Sequence, residues 1–328
     1  MNILVLGGAG YIGSHFVKNA IKHGHKVIVA DNLQQGHRKA VDPQARFYIV
    51  DIRDKDGLEQ IFANHHIDAC AHFAANSLVG ESMQKPLVYF DNNVTGTINL
   101  LEAMEKHQVK RIVFSSSAAV YGTHERMPLV ETDNTNPENP YGESKLMMEK
   151  IMAWADKIHG IRYASLRYFN VAGASLDASI GEDHRPETHL IPIILQVALG
   201  KRERLVIFGN DYPTPDGTCI RDYIHIEDLI EAHLLALEFI DKHDRSEIFN
   251  LGNEDGYSNL NVVETAQKIT GLAIPFTFCD RRPGDPPKLI ASSQKAITLL
   301  GWQRQYGIED IIASAWRFHK THPDGYKE

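Results

Sequence analysis

The feature that most constrains the fold is a regular alternation of short β-rich runs and helical patterns over residues 1–170. The runs are rich in Val, Ile and aromatic residues and are separated by stretches with helical periodicity. Because a parallel strand needs a crossover connection, strand and helix repeated in this way predict a doubly wound parallel sheet. The predicted strands cover residues 2–7, 26–31, 46–51, 67–75, 110–117 and 161–170.

The pattern changes after Asn170. Long loops containing Gly and Pro occupy residues 171–187, 209–220 and 280–288, and helical patterns return at 189–200, 226–240, 261–271 and 308–320. Loops of that length usually bind something. We therefore predict an α/β protein in which residues 1–170 form a Rossmann-type domain. Residues 171–328 form a smaller mixed α/β substrate lobe, some segments of which return to the first domain.

A glycine-rich turn, GGAGYIG, lies between the first predicted strand and the first helix. Gly8, Gly10 and Gly13 match G-x-G-x-x-G, and Gly7, Gly10 and Gly13 match the related G-x-x-G-x-x-G. Either spacing allows a tight turn and a close approach of the backbone to a pyrophosphate. The turn therefore predicts a dinucleotide site at the start of the first helix.

Asp31 ends the second predicted strand, 18 residues after Gly13. A carboxylate at this place accepts hydrogen bonds from an adenosine ribose, and its negative charge repels a 2'-phosphate. The sequence therefore favours NAD over NADP, although Arg38 lies nearby.

Tyr141 and Lys145 lie four residues apart in NPYGESK, so a helix that begins near Pro140 presents both side chains on one face. Ser117 precedes Tyr141 by 24 residues and follows the fifth predicted strand, at the sheet edge where doubly wound folds bind ligands. Serine, tyrosine and lysine in this order, behind a dinucleotide fingerprint, resemble the catalytic set of the extended short-chain dehydrogenase/reductases.

The resemblance extends to the UDP-glucose 4-epimerase family within that group, and it covers essentially the whole chain. Its most specific elements are the Ser-Tyr-Lys set and the loop NDYPTPDGTCIRDYIH at 210–225. It implies a reversible epimerisation at C4 of a UDP-hexose, UDP-glucose or UDP-galactose, through a transient 4-keto sugar and tightly bound NAD. It also implies a homodimer built through the helices around 84–106 and 141–159.

The resemblance further implies the residues of the site. The catalytic residues are Ser117, Tyr141 and Lys145. The NAD contacts are Gly7, Gly10, Tyr11, Ile12, Gly13, Asp31, Asn32, Asp51, Ile52, Phe73, Ala74, Ala75, Asn92, Lys145 and Phe169. The substrate contacts are Ser117, Tyr141, Asn170, His189, Arg221, Arg282, Asp285 and Leu289. At His189 many family members have asparagine, and a tyrosine at Leu289 would narrow the pocket. We therefore expect room for UDP-GlcNAc and UDP-GalNAc.

Alcohol oxidation needs a base for the hydroxyl proton, and a tyrosine with a pKa near ~10 is mostly protonated at neutral pH. Lowering that pKa to about 7 requires ~4 kcal/mol, and one ammonium at ~5 Å supplies ~3 kcal/mol at an effective dielectric constant of ~20. We therefore expect Lys145 to lower the pKa of Tyr141.

Alternative activities within the family are a uronate epimerase, a decarboxylase and a dehydratase, and the alternative outside enzymes is a non-catalytic NAD sensor. A dehydratase typically carries an Asp-Glu pair after the fifth strand, where this chain has SSSAAVYG. A sensor has no need for the full Ser-Tyr-Lys set. Epimerisation is therefore the preferred interpretation.

Composition excludes several other classes. The net charge is −8 and no block of Lys or Arg occurs, so we expect no nucleic-acid partner. Three cysteines without C-x-x-C spacing, and an N-terminal run broken early by glycine, predict a cytoplasmic protein without a membrane span. His184 and His189 lie in EDHRPETH, but no H-E-x-x-H pattern occurs, so we expect no metal site.

Overall fold

The computed structural model describes residues 1–282 and 285–327. Pro283 and Gly284 of the predicted loop 280–288, and Glu328 at the end of the predicted second lobe, lie outside the described residues.

The strands are β1 (Asn2–Leu6), β2 (Lys26–Asp31), β3 (Arg46–Ile49), β4 (Ala69–His72), β5 (Arg111–Ser115), β6 (Arg162–Tyr168), β7 (Asn170–Ala172), β8 (Leu205–Phe208), β9 (Ile220–Arg221), β10 (Tyr223–His225), β11 (Glu247–Leu251), β12 (Tyr257–Ser258), β13 (Phe276–Cys279) and β14 (Lys288–Leu289). The α-helices are α1 (Tyr11–Lys22), α2 (Lys55–Asn64), α3 (Val79–Gln84), α4 (Pro86–Tyr89), α5 (Gly96–Lys106), α6 (Pro140–His159), α7 (Leu190–Ala198), α8 (Ile226–His243), α9 (Asn259–Thr270), α10 (Gln294–Leu300) and α11 (Ile308–Thr321).

Seven parallel strands form the main sheet in the order β11-β6-β5-β4-β1-β2-β3. The predicted doubly wound α/β fold is confirmed. The strand order reverses between β1 and β4, so the connections from these two strands leave in opposite directions and open a crevice at their carboxyl ends. The glycine turn follows β1 and Phe73 follows β4, which places both at this crevice.

Each face of the sheet is covered by helices. One apolar core joins β1 and β2 to α1 and α8 and includes Phe16 and Phe249. The core on the opposite face joins the sheet to α2, α5 and α6 and includes Leu100 and Met148. Because both faces are buried, the strands read as continuous apolar runs.

The second lobe is built from short sheets and helices. Strands β12, β9 and β14 form one sheet, β10 pairs with β7, and β13 pairs with β8. A separate apolar core joins α7, α9 and α11. Strand β11 and helix α8 come from residues after 170 but pack in the main sheet and on its face. The boundary between the two domains stays a prediction.

No helix in the described part of the chain is both long enough and apolar enough to cross a bilayer.

Candidate active site

The glycine turn holds the backbone close to β4 and opens α1. Gly7 has a φ of +76°, and a Cβ there would lie 2.6 Å from the backbone nitrogen of Ala74. A Cβ on Gly13 would overlap the carbonyl oxygen of Gly7. Gly10 caps α1 without a side-chain hydrogen bond, so the first amide groups of the helix stay available to an anion. The turn therefore fits the pyrophosphate of a dinucleotide.

Asp31 braces this turn from the end of β2. Its carboxylate accepts hydrogen bonds from the backbone nitrogens of Ala9 at 2.9 Å and Leu33 at 2.8 Å. Burial raises its pKa, and the two backbone hydrogen bonds partly offset that shift. Asp31 is 7% exposed. Its carboxylate lies beside the start of α1, where the ribose next to a bound pyrophosphate would lie.

Asn32 and Asp51 form the next part of the wall. The side-chain amide of Asn32 donates to Asp51 Oδ2 at 2.9 Å. The hydrogen bond from Arg53 is the largest cause that holds the pKa of Asp51 below its usual range. Ile52 is 5% exposed and packs under Gly96, where a Cβ would lie 2.5 Å from its methyl group. The three predicted residues Asn32, Asp51 and Ile52 therefore lie together.

The opposite wall of the crevice follows β4 and contains Phe73, Ala74 and Ala75. The ring of Phe73 packs at a tilt of 49° against Phe16 of α1, with ring centroids 5.3 Å apart. Asn92 lies in a π-helical segment, Phe90–Thr95, and donates to Asn93 Oδ1 at 3.0 Å. Asn93 in turn donates to Ser144 Oγ at 2.9 Å, which ties this wall to α6.

Helix α6 begins at Pro140 because Asn139 caps it, accepting a hydrogen bond from the Gly142 nitrogen at 2.9 Å. Tyr141 and Lys145 therefore lie on its first two turns. Ser117 follows β5, and its hydroxyl accepts a hydrogen bond from the Ala119 nitrogen at 3.1 Å and lies near enough to Tyr141 to lower the pKa of the phenol. Lys145 donates to the Ser115 carbonyl at 2.8 Å, with its Nζ 5.9 Å from the centre of the Tyr141 ring. The structure brings the three predicted catalytic residues together.

The expected net shift of the Tyr141 pKa is wrong, because the structure raises this pKa and the sequence predicted that it is lowered. Burial raises the pKa of Tyr141, and the hydrogen bond from Ser117 lowers it in part. Burial also lowers the pKa of Lys145 to about 7, so its charge is only partly present at neutral pH. Removal from water is the largest cause of both shifts, and the sequence estimate omitted it.

Glu149 is a functional residue that the sequence reasoning missed. It lies one turn beyond Lys145 on α6, and its negative charge raises the pKa of Lys145 against the effect of burial. Its carboxylate accepts hydrogen bonds from Arg167 Nε at 2.9 Å and Ser116 Oγ at 2.5 Å. Both side chains of the Arg167–Glu149 pair are 4% exposed. The i, i+4 spacing from Lys145 is the sequence signal that points to it.

Four of the predicted substrate residues lie in two groups, the first containing Asn170 and Leu289. Leu289 packs with Phe169, a predicted NAD contact, on the cluster that includes Tyr121 and Leu146 beside the catalytic helix. Asn170 donates from its side chain to the Asp222 carbonyl at 3.2 Å. Because the Asp222 nitrogen donates to the Leu289 carbonyl at 3.1 Å, the residues after β6 and those of β14 are joined through Asp222.

Arg221 and Asp285 form the second group. Arg221 donates to Asp285 Oδ1 at 2.7 Å and to the Pro286 carbonyl at 2.9 Å. The guanidinium of Arg282 instead stacks on Phe208, 3.9 Å from the ring centre, and its side chain is exposed. The structure therefore pairs Arg221 with Asp285, and it places the Arg282 side chain against Phe208, outside this pair.

His189 precedes α7, and its Nδ1 lies 2.8 Å from Glu182 Oε1. Burial lowers its pKa, but Glu182 and Glu187 outweigh that effect and raise it to about 10.

Comparisons with known proteins agree with this geometry. The sequence pattern of the NAD dependent epimerase/dehydratase family matches residues 3–252. A UDP-glucose 4-epimerase of Lactobacillus helveticus is 57% identical over all of both chains. A crystal structure of a UDP-glucose 4-epimerase, 50% identical, superimposes with a TM-score of 0.98 over all of both chains. The Bifidobacterium longum UDP-glucose 4-epimerase, solved with NAD⁺ and UDP, is 38% identical with a TM-score of 0.93, covering 99% of this chain and 100% of that one.

Proposed function

The chain belongs to the NAD dependent epimerase/dehydratase family, and from that premise we propose that it interconverts UDP-glucose and UDP-galactose by inverting C4 of the sugar. It is an enzyme of the isomerase class, and its cofactor is NAD. The observation that carries the proposal is the meeting of Ser117, Tyr141 and Lys145 at the crevice that the glycine turn opens.

Tyr141 removes the proton from the sugar 4-hydroxyl in this proposal. Ser117 holds the reacting oxygen, because its hydroxyl lies near enough to Tyr141 to lower the pKa of the phenol. Lys145 stabilises the phenolate that forms, and Glu149 favours the charged state of Lys145. Bound NAD would supply the acceptor and donor of the C4 hydride, and the positive charge of its oxidised ring would favour the phenolate of Tyr141.

The protein must hold the nucleotide while the sugar rotates between the two hydride transfers. We propose that Arg221, fixed by Asp285 and Pro286, binds the pyrophosphate of UDP. His189 and Asn170 bind the nucleotide sugar. With binding energy concentrated on the nucleotide, the 4-keto hexose is free to rotate and present its other face. Tyr141 then returns the proton, and no net oxidation results.

Leu289 supports acceptance of N-acetylhexosamines. It is partly buried against the cluster that also contacts Phe169, and leucine leaves more space there than tyrosine. We propose that UDP-GlcNAc and UDP-GalNAc are substrates too. Comparing turnover of UDP-galactose with that of UDP-N-acetylgalactosamine tests this, and undetectable turnover of the acetamido sugar contradicts it.

Purified protein incubated with UDP-galactose, without added NAD, tests the main proposal. We expect UDP-glucose to appear by NMR without accumulation of NADH. Build-up of NADH contradicts epimerisation and favours a dehydrogenase, and loss of water from the sugar favours a dehydratase. A lack of any reaction while NAD remains bound favours a non-catalytic sensor. UDP-glucuronate in a parallel sample separates a uronate epimerase or a decarboxylase.

We also propose a homodimer formed through α5 and α6 and the helical turns before α5. Apolar side chains on these segments are exposed: Leu87 is 78% exposed, Trp154 61% and Ile158 64%. Apolar exposure of this extent marks an interaction surface. Light scattering should give twice the chain mass of 36.9 kDa, and Trp154→Glu should shift the measured mass toward that of the monomer.

Cys70, Cys219 and Cys279 are free thiols, which supports a cytoplasmic location.

A further inference from the structure

Four side chains that ligate metals converge in the segment that leads into α7. Glu182, His184, Glu187 and His189 each offer one ligand atom, and these atoms all lie within 4.8 Å of one another. The sequence spacing is E-x-H-x-x-E-x-H. This pattern differs from the helical H-E-x-x-H motif on which the expectation of no metal was based.

The distances leave a small space between the four groups. His189 Nδ1 lies 2.8 Å from Glu182 Oε1 and 3.2 Å from Glu187 Oε1. His184 Nδ1 lies 3.2 Å from Glu182 Oε1 and 3.7 Å from Glu187 Oε2. Ligand atoms bound tetrahedrally at about 2.1 Å lie about 3.4 Å from one another, so the observed spacings are close to those of a metal cage.

The two carboxylates are buried. The side chains of Glu182 and Glu187 are 4% and 3% exposed, and in the part of the chain that the structure describes their ion-pair partners are only His184 and His189. Backbone nitrogens of Thr188 and His189 both donate to Glu187 Oε1 at 2.8 Å. Glu187 Oε2 is therefore the oxygen that remains for a cation.

His184 supplies an independent observation. Its Nδ1 is buried and lies 3.2 Å from Glu182 Oε1 and 3.7 Å from Glu187 Oε2, yet it completes no hydrogen bond with either oxygen. Buried polar atoms usually complete hydrogen bonds, so this nitrogen calls for an explanation. A metal ion between the rings gives it a coordination bond in place of these two contacts.

We propose that Glu182, His184, Glu187 and His189 bind one divalent metal ion, with Zn²⁺ the preferred ion. Two imidazole nitrogens disfavour Mg²⁺ and Ca²⁺, which take oxygen ligands, and four nearby ligands suit a closed tetrahedral site. Metal binding requires both imidazoles to be neutral, and a divalent ion then balances the two buried negative charges.

The position of the site suggests its role. The ring of His184 packs edge-on against Tyr11 of the glycine turn, with centroids 6.4 Å apart. Tyr11 in turn donates to the Gly173 carbonyl at 2.7 Å. The ion would fix the segment 182–189 beside the helix that receives NAD. It would also orient His189 through Nδ1, which leaves Nε2 for the substrate; this last point rests on the proposed function.

Metal binding is tested on the full chain after removal of any affinity tag and treatment with a chelator. Co²⁺ is added, because tetrahedral cobalt has strong visible absorption. Zn²⁺ is measured by competition with a chromophoric chelator. We expect one Co²⁺ or Zn²⁺ per chain with tetrahedral bands, and a loss of affinity of at least ~10-fold in His184→Ala and in the nearly isosteric Glu187→Gln.

His66→Ala is the matched control. His66 pairs with Asp68 at 3.0 Å on the surface, outside the cluster, so this variant should bind the metal as the original chain does. The proposal is overturned if the original chain shows no tetrahedral cobalt spectrum. It is also overturned if His184→Ala and Glu187→Gln bind metal as tightly as the control, because the ion then lies elsewhere. Circular dichroism of each variant checks that it is folded.

A kinetic measurement tests the role in substrate binding. Removal of the metal should raise KM for UDP-galactose by several-fold and leave kcat nearly unchanged, and re-addition of Zn²⁺ should restore KM. An unchanged KM refutes the role of the ion in orienting His189. Because metal binding is read from the cobalt spectrum, a protein that binds the metal but does not epimerise UDP-galactose refutes the proposed function and leaves the metal site intact.

Discussion

Replacing Lys145 by Met should make the protein more stable at neutral pH while it abolishes epimerisation. Lys145 is 2% exposed, and burial lowers the pKa of its ammonium group to about 7. An unfolded chain keeps this proton up to about pH 10.4. Folding therefore releases a proton between these two values, and the charged side chain opposes folding below them. Met has a similar length, no charge and no proton to lose.

The size of the effect follows from the two pKa values. With pKa values of about 7 folded and ~10.4 unfolded, the ammonium costs about 4 kcal/mol of folding free energy at pH 7 and about 2 kcal/mol at pH 9. The substitution also removes the hydrogen bond to the Ser115 carbonyl, which offsets ~1–2 kcal/mol. We expect a net gain of ~2–3 kcal/mol at pH 7, which shrinks to less than ~1 kcal/mol at pH 9.

Denaturant unfolding followed by circular dichroism at both pH values measures the gain. Both proteins are compared after NAD is removed, because a ligand bound to the folded state adds its own stabilisation. Lys150→Met is the control, since Lys150 is exposed on the same helix. A Lys145→Met protein that is less stable than the original at pH 7, or equally stabilised at pH 7 and pH 9, refutes the reasoning.

Three further substitutions test the site. Tyr141→Phe should lower kcat by at least ~10³-fold while NAD stays bound, because it removes the base and keeps the ring; an active variant contradicts the assignment. Glu149→Gln should cost ~3–5 kcal/mol in unfolding free energy by leaving the Arg167 charge buried and unpaired. It should also move the basic limb of the kcat/KM profile to lower pH, because Glu149 raises the pKa of Lys145. Glu309→Gln, in the exposed pair with Lys268, should cost less than ~1 kcal/mol, and an equal loss in both variants argues against a special role for the buried pair. Leu289→Tyr should lower kcat/KM for UDP-N-acetylgalactosamine at least ~10-fold more than for UDP-galactose, and equal losses on both sugars refute the pocket argument.

Much of the fold could be read from local patterns. A strand and a crossover helix each carry their own periodicity, so the parallel sheet was predictable from β1 to β6. Strand β11, which returns to the main sheet, was not predicted. It is only five residues long, and its sequence does not indicate which sheet it joins. Pairing of β11 with β6 depends on contacts between residues far apart in the sequence.

The charges of the site needed the structure. Sequence spacing placed Lys145 near Tyr141 but carried no measure of burial, which raises the pKa of one group and lowers that of the other. The Arg167–Glu149 pair joins β6 to α6, so its effect on Lys145 depends on packing between elements.

By itself, the sequence determined the α/β class, the crevice after β1 and the presence of Ser117, Tyr141 and Lys145 at its edge. The α/β class and the crevice follow from short-range rules, strand periodicity and glycine at a tight turn. The resemblance to a known family selected Ser117, Tyr141 and Lys145. Only the tertiary structure decided which groups are removed from water and which distant side chains meet them, including the four ligands at 182–189. Burial and convergence are properties of the whole packed chain, and they determine the charges on which the chemistry depends.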